Sequence, residues 1–126
     1  MTSIRALIID DDADILRIAQ LSLERLAGWT VTAELSGGNA VNLAISKRVD
    51  VVILDVQMPE LDGPTIFNML RANPDTAGIP VVMLTASVQA ADHERFVALG
   101  ADGILVKPFD PTRLAGQIEE ILDGLK

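Results

Sequence analysis

Apolar residues in this chain fall into two patterns that take turns. Short continuous runs (Ala6-Leu7-Ile8-Ile9, Val51-Val52-Ile53-Leu54, Val81-Val82-Met83-Leu84, Gly103-Ile104-Leu105-Val106) alternate with longer stretches in which apolar residues recur at helical spacing. The short runs are rich in branched residues and lack polar alternation, which predicts strands buried on both faces. Val31 to Leu35 alternates more and predicts a strand nearer an edge. Helices are predicted over about Ala13 to Leu26, Ala40 to Lys47, Pro64 to the Asn73-Pro74-Asp75 stop, Val88 to Leu99, and from Pro111 onward. Their inward faces are Ile15, Leu16, Ala19, Leu23 and Leu26; Val41, Ala44 and Ile45; Ile66, Phe67, Met69 and Leu70; and Leu114, Ile118, Ile121, Leu122 and Leu125.

Local signals punctuate these elements. Asp12 can accept the free amide hydrogens of the first helical turn, and Gly28 ends that helix. Ser36-Gly37-Gly38-Asn39 reads as a turn, Pro64 suits a first helical turn, and Gly100 stops the fourth helix. Asp110 followed by Pro111 predicts a cap with proline at the first helical position. The order is strand then helix, five times, with no linker or repeat, so residues 1–126 are expected to form one domain. Such alternation predicts a doubly wound parallel α/β sheet covered on both faces. Right-handed crossovers then place every strand's C-terminal end on one rim.

Composition narrows the picture. Aromatics are 3% of the chain, so aliphatic residues must fill the interior. The absence of cysteine excludes a disulfide framework and a thiolate metal site. No run reaches membrane-spanning length and the N-terminal run is too short for a signal peptide, so a cytoplasmic protein without a membrane partner is expected. The formal net charge of −8 argues against direct nucleic-acid binding and suits a cation or a basic partner surface. Acidity alone says no more than solubility.

The rim is where chemistry converges. Asp10, Asp11 and Asp12 follow the first strand, Asp55 the third, Thr85 the fourth and Lys107 the fifth. Clustered carboxylates repel, and an oxygen-only set without His or Cys suits Mg²⁺. Lys107 and Thr85 would answer an anion beside that metal, and an aspartate can act as nucleophile to form an acyl phosphate. Each residue alone has an ordinary reading as a cap or a strand-end polar group; their joint placement carries the signal. A calcium loop built on Asp10, Asp12 and Asp14 fails, because its glycine position is Ile15 and its final glutamate position is Leu21.

At this point the segments LIIDDDADIL, VILDVQMPELDG, VVMLTAS and GADGILVKPF, in this order and spacing, resemble the response-regulator receiver domains of bacterial two-component signalling, the family of the chemotaxis regulators. The resemblance covers essentially the whole chain. It implies the flavodoxin-like strand order 2-1-3-4-5 and a phosphorylation-dependent switch with Asp55 as phosphoacceptor. It further implies Mg²⁺ held by Asp10, Asp11, Asp55 and the backbone carbonyl of Gln57. The Thr85 hydroxyl and the Ala86 amide would follow the phosphoryl group and Lys107 would pair with it. A cis Lys107-Pro108 bond is expected, and Pro59 and Gly63 would shape the loop after Asp55. The implied partners are a histidine kinase or histidine phosphotransfer protein, and a downstream protein on the face of helix four, strand five and helix five. No enzymatic activity beyond self-phosphorylation and autodephosphorylation at Asp55 is implied. Gln57 and Ser87 stand where the family varies residues that set the acyl-phosphate lifetime.

One position departs from the family. Ile104 stands where a switch aromatic is common, so the aromatic part of the usual coupling to Thr85 is missing. The alternative reading is therefore a phosphorylation-independent interaction domain with a vestigial site. A flavin binder on the same fold is disfavoured, since Asp10-Asp11-Asp12 would repel a phosphate. His93 is expected to be solvated and inert, Trp29 partly buried, and Met58, Met69 and Met83 packing residues rather than ligands.

Overall fold

The computed structural model describes residues 3–58 and 61–125. Pro59 therefore lies outside the described residues. Five strands, β1 (Arg5–Ile9), β2 (Thr30–Glu34), β3 (Val51–Asp55), β4 (Val81–Thr85) and β5 (Gly103–Val106), alternate with helices α1 (Ala13–Ala27), α2 (Ala40–Ser46), α3 (Gly63–Ala72), α4 (Ala90–Leu99) and α5 (Leu114–Gly124). All strand pairs are parallel and the spatial order is β2-β1-β3-β4-β5, as expected. The alternating strand β2 lies at one edge.

Continuous apolar strands make sense once the two faces are separated. Successive side chains point to opposite faces. On one face Ala6, Ile8, Val51, Ile53, Val82 and Leu84 pack with Leu16, Leu23, Leu114 and Ile118 of α1 and α5. On the other, Leu7, Ile9, Val52, Leu54, Val81 and Met83 pack with residues of α2, α3 and α4, among them Ala44, Ile66, Phe67 and Phe96. Trp29, expected to be partly buried, is fully part of the first core. It follows Gly28, which ends α1 in the left-handed conformation, and its amide reaches back to the Leu23 carbonyl at 3.1 Å. That pattern closes the helix and folds Trp29 onto Leu23.

The cap assigned to Asp12 is present: its carboxylate accepts the amides of Asp14 and Ile15 at 2.9 and 3.2 Å. Other expectations need correction. Leu26, Ile45, Met69 and Leu125 do not face inward; they are among the most exposed large apolar residues. They stand on the flanks of their helices, beyond the strip the sheet covers. Asp110 is not the cap of α5. Its carboxylate takes both the amide and the hydroxyl of Thr112, at 2.9 and 2.7 Å, and heads a turn, so the helix begins only at Leu114.

At the opposite end of the sheet Arg71 ties α3 to β4 and β5. It donates to the Ile79 carbonyl at 2.7 Å and to Asp102 at 2.9 Å, lies over the Phe67 ring, and Asp102 also accepts the Val81 amide at 2.8 Å.

The start of α3 lies tightly against the end of β3. A Cβ on Gly63 would stand 2.6 Å from the Asp55 carbonyl oxygen and 2.7 Å from the Val56 Cα, both backbone atoms. Gly63→Ala is expected to destabilise the fold by about 1–3 kcal/mol through this overlap. Gly38→Ala, where the added carbon meets open space, should change stability by less than about 0.5 kcal/mol. Urea unfolding of the two variants checks this, and equal midpoints would refute the close approach.

Candidate functional site: an acid cluster answered by one lysine

The sheet register builds the site. Ile9 and Leu54 are register partners on the adjacent strands β1 and β3. The next residues along the two strands are Asp10 and Asp55, so pairing of the apolar runs sets the two carboxylates side by side. The strand order reverses between β1 and β3, and ligands of open α/β sheets bind at such a point. On the other side Thr85 pairs with Val106, and the amide of the following residue, Lys107, donates to the Thr85 carbonyl at 2.8 Å. The side chain of Lys107 then reaches across to the acids. The Lys107-Pro108 bond is cis, as the resemblance implied.

Asp10, Asp55 and Thr85 are all buried, at 0%, 4% and 2% exposure. Lys107 Nζ lies 2.6 Å from Asp10 Oδ2 and 3.1 Å from Asp55 Oδ1. Both contacts are ion pairs, and among the described residues Asp10 Oδ2 has no partner besides the ammonium. Asp10 Oδ1 accepts the Asp12 amide at 2.9 Å, and Asp55 Oδ1 accepts the Gln57 amide at 3.3 Å. Asp11, on the exposed side, completes a set of three carboxylates whose oxygens lie within 4.8 Å of one another. A cleft of ≈ 740 Å³ opens beside them between Gln57, Asp62, Thr85, Ala86 and Ser87. A larger hollow of ≈ 880 Å³ at the opposite rim is lined by Arg5, Asp50, Glu119 and Asp123, but all four are exposed, so it gathers no buried charge.

Electrostatics follow from this packing. Burial first, and then the charge of Asp10, push the Asp55 pKa up from 3.8 to about 6, against the pull of Lys107 and the Gln57 amide. Burial alone would lower the Lys107 pKa, but its pairs with Asp10 and Asp55 outweigh that and raise it above 10.5. Three carboxylates face one ammonium, so the cluster keeps a surplus of negative charge. With oxygen donors only and Asp10 Oδ2 held by the ammonium alone among the described residues, this set could hold a metal ion.

Of the residues singled out in the sequence, the structure brings Asp10, Asp11, Asp55 and Lys107 together, with Thr85, Ala86 and Gln57 along the adjoining cleft. Ile104 is half-buried and packs against the core on the α2, α3 and α4 side. His93 is not solvated: it is half-buried, with Nε2 2.8 Å from the Ser87 carbonyl. No local pattern of residues signals that contact, because the partner is a backbone atom six residues upstream.

Order 2-1-3-4-5 with acids at the switch point and a lysine from the fifth strand defines a regulatory domain of the CheY-like fold. More particularly, the chain belongs to the response regulator receiver domain family, whose model matches residues 6–119. It is 40% identical over 121 residues to the probable transcriptional regulator ycf27 of Guillardia theta, covering 96% of this chain and 46% of that protein. It is 38% identical over 118 residues to the DNA-binding dual master transcriptional regulator RpaA of Synechocystis, covering 94% of this chain and 48% of that protein. The chain thus spans about half the length of these relatives. Among solved structures, the Vibrio cholerae chemotaxis protein CheY4 superposes with a TM-score of 0.87 at 30% identity, over 95% of this chain and 99% of that one. Receiver domains of two-component response regulators are phosphorylation-dependent switches, and that is the family function of this chain. Among the described residues no helix is long and apolar enough to cross a membrane.

The raised Asp55 pKa has a definite sign. The folded protein holds that proton more tightly than the unfolded chain, so the contribution to stability is full below about pH 3.8 and is lost as pH rises through about 6. Asp55→Asn should therefore stabilise the protein at pH 7.5 by on the order of 1–3 kcal/mol, with the gain shrinking towards zero near pH 4. Urea unfolding at the two pH values measures it. A variant no more stable at pH 7.5 would mean that attraction to Lys107 outweighs burial and repulsion.

Proposed function

We propose that Asp55 accepts a phosphoryl group from a histidine kinase or a histidine phosphotransfer protein. The observation that carries this reading is Lys107 Nζ bridging the buried Asp10 and Asp55 at 2.6 and 3.1 Å. A pKa of about 6 leaves Asp55 largely ionised at neutral pH, so it keeps its nucleophilic lone pair despite burial. An Asp55 oxygen bonds to phosphorus, the bond from phosphorus to the donor's imidazole nitrogen breaks, and its electron pair leaves with that nitrogen. Lys107 pairs with the transferred group, and the Thr85 hydroxyl and Ala86 amide donate to its oxygens. Asp10, Asp11, Asp55 and the Gln57 carbonyl would hold Mg²⁺, which supplies positive charge to the transferring phosphoryl oxygens. Catalysis by the chain itself is limited to this self-phosphorylation and to hydrolysis, in which water oxygen bonds to phosphorus, the bond to Asp55 breaks with its electron pair on the carboxylate, and inorganic phosphate leaves.

The product changes how the α4, β5 and α5 face meets a downstream protein. The reading places the domain in the cytoplasm, acting on protein partners rather than directly on nucleic acid. The domain reading extends over residues 1–126, and any DNA binding of the kind named for RpaA would belong to a separate domain. Ile104 favours one competing reading, an interaction domain that no longer responds to phosphorylation.

Incubation with acetyl phosphate and Mg²⁺ should add one phosphoryl mass to the intact chain and none to Asp55→Asn. No added mass, or the same mass on the Asn variant, refutes the assignment and favours the competing reading. Lys107→Ala should still be phosphorylated, but its backbone amide shifts in α4 and β5 on phosphorylation should shrink to less than about half those of the wild type, since one charge-assisted contact is gone. Equal shifts would remove Lys107 from the response.

A further inference from the structure

The segment from β4 to α4 carries a hydrogen-bond network centred on Ser87. The Ser87 amide donates to Thr85 Oγ1 at 3.0 Å. Its hydroxyl donates to Asp92 Oδ2 at 2.5 Å and accepts the Gln89 amide at 3.1 Å. Its carbonyl lies 2.8 Å from His93 Nε2. A carbonyl only accepts, so Nε2 carries the proton. Asp92 is held on its other oxygen by Arg95 at 3.2 Å. The side chain of Gln89, the cap residue of α4, makes no capping bond, and its backbone amide donates to Ser87 Oγ.

We propose that Ser87, Asp92 and His93 form a latch that holds Thr85 and the start of α4 in their unphosphorylated arrangement. Its release is what couples Asp55 to the α4 face. This rests on the reading of Asp55 as phosphoacceptor with Thr85 drawn to the phosphoryl group. Thr85 Oγ1 cannot move away from Ser87 without losing the Ser87 amide, and Ser87 is gripped from two more sides by groups of α4. Loop and helix start are thereby one body. Ile104 is aliphatic and can make no hydrogen bond to a moving Thr85, which leaves this polar network to carry the displacement. Val88, 78% exposed and set between Ser87 and the α4 cap, moves with it and changes the apolar surface offered to a partner.

Breaking a bond found only in one of two states shifts their populations by that bond's net worth. Asp92→Ala and His93→Ala each remove one grip on Ser87 without altering Asp55, Thr85 or Lys107. Arg95→Ala removes the outer ion pair and the guanidinium over the Phe96 ring but no bond to Ser87, and serves as the control. The probe is beryllofluoride with Mg²⁺ on the whole chain. Its apparent Kd should fall by about two- to tenfold in Asp92→Ala and His93→Ala and stay within about twofold in Arg95→Ala. Hydrogen exchange at the Ser87 and Gln89 amides of the unliganded protein should quicken by a similar factor in the first two variants. Wild-type Kd and wild-type exchange in both variants overturn the latch. If the wild type itself fails to bind beryllofluoride, the phosphoacceptor reading falls instead, and amide exchange still decides whether the latch exists.

Discussion

Two carboxylates buried side by side are unfavourable unless a cation answers them, and the rim of this sheet is arranged around that constraint. Asp10 and Asp55 arrive on adjacent strands with almost no solvent access, and a single ammonium from the end of β5 lies between them. The answer is incomplete. The Asp55 proton is held more tightly than usual, and among the described residues one Asp10 oxygen has the ammonium as its sole partner. An incompletely compensated charge is what makes such a place receptive to further charge, positive at the acids and negative beside the lysine.

The rest of the architecture serves to bring distant residues to that rim. Asp10 and Lys107 are far apart in sequence, yet each needs only to follow an apolar strand directly. Alternate residues of those strands face two separate cores, one under α1 and α5 and one under α2, α3 and α4. The charged groups lie where the apolar runs stop, so none of the site's charges has to penetrate either core. The tight approach of Gly63 to the Asp55 carbonyl sets the start of α3 close to the strand end.

Much of this was legible in the sequence because it depends on direct succession along the chain. An apolar run followed at once by Asp10, Asp55 or Lys107 fixes both the strand and its chemical tip. Facing was less legible. Leu26, Ile45, Met69 and Leu125 keep helical spacing yet lie outside, because how wide a stripe is covered depends on the neighbouring layer and not on the helix itself. Asp110 carries a capping residue's chemistry, but Thr112 offered its carboxylate two donors before the helix could. His93 escaped notice for a similar reason, since its partner is a carbonyl with no side-chain signature.

The register between β1 and β3 has a consequence for how this molecule can fail. A slip of one residue would turn every apolar side chain of the displaced strand to the opposite face. The same slip would carry Asp10 past Asp55, because the acids are the residues next after the partners Ile9 and Leu54. Misfolding and loss of the acid pair are thus one event. A single-residue error that would part the acids also turns apolar side chains out of both cores, so apolar packing guards the charged pair against that error.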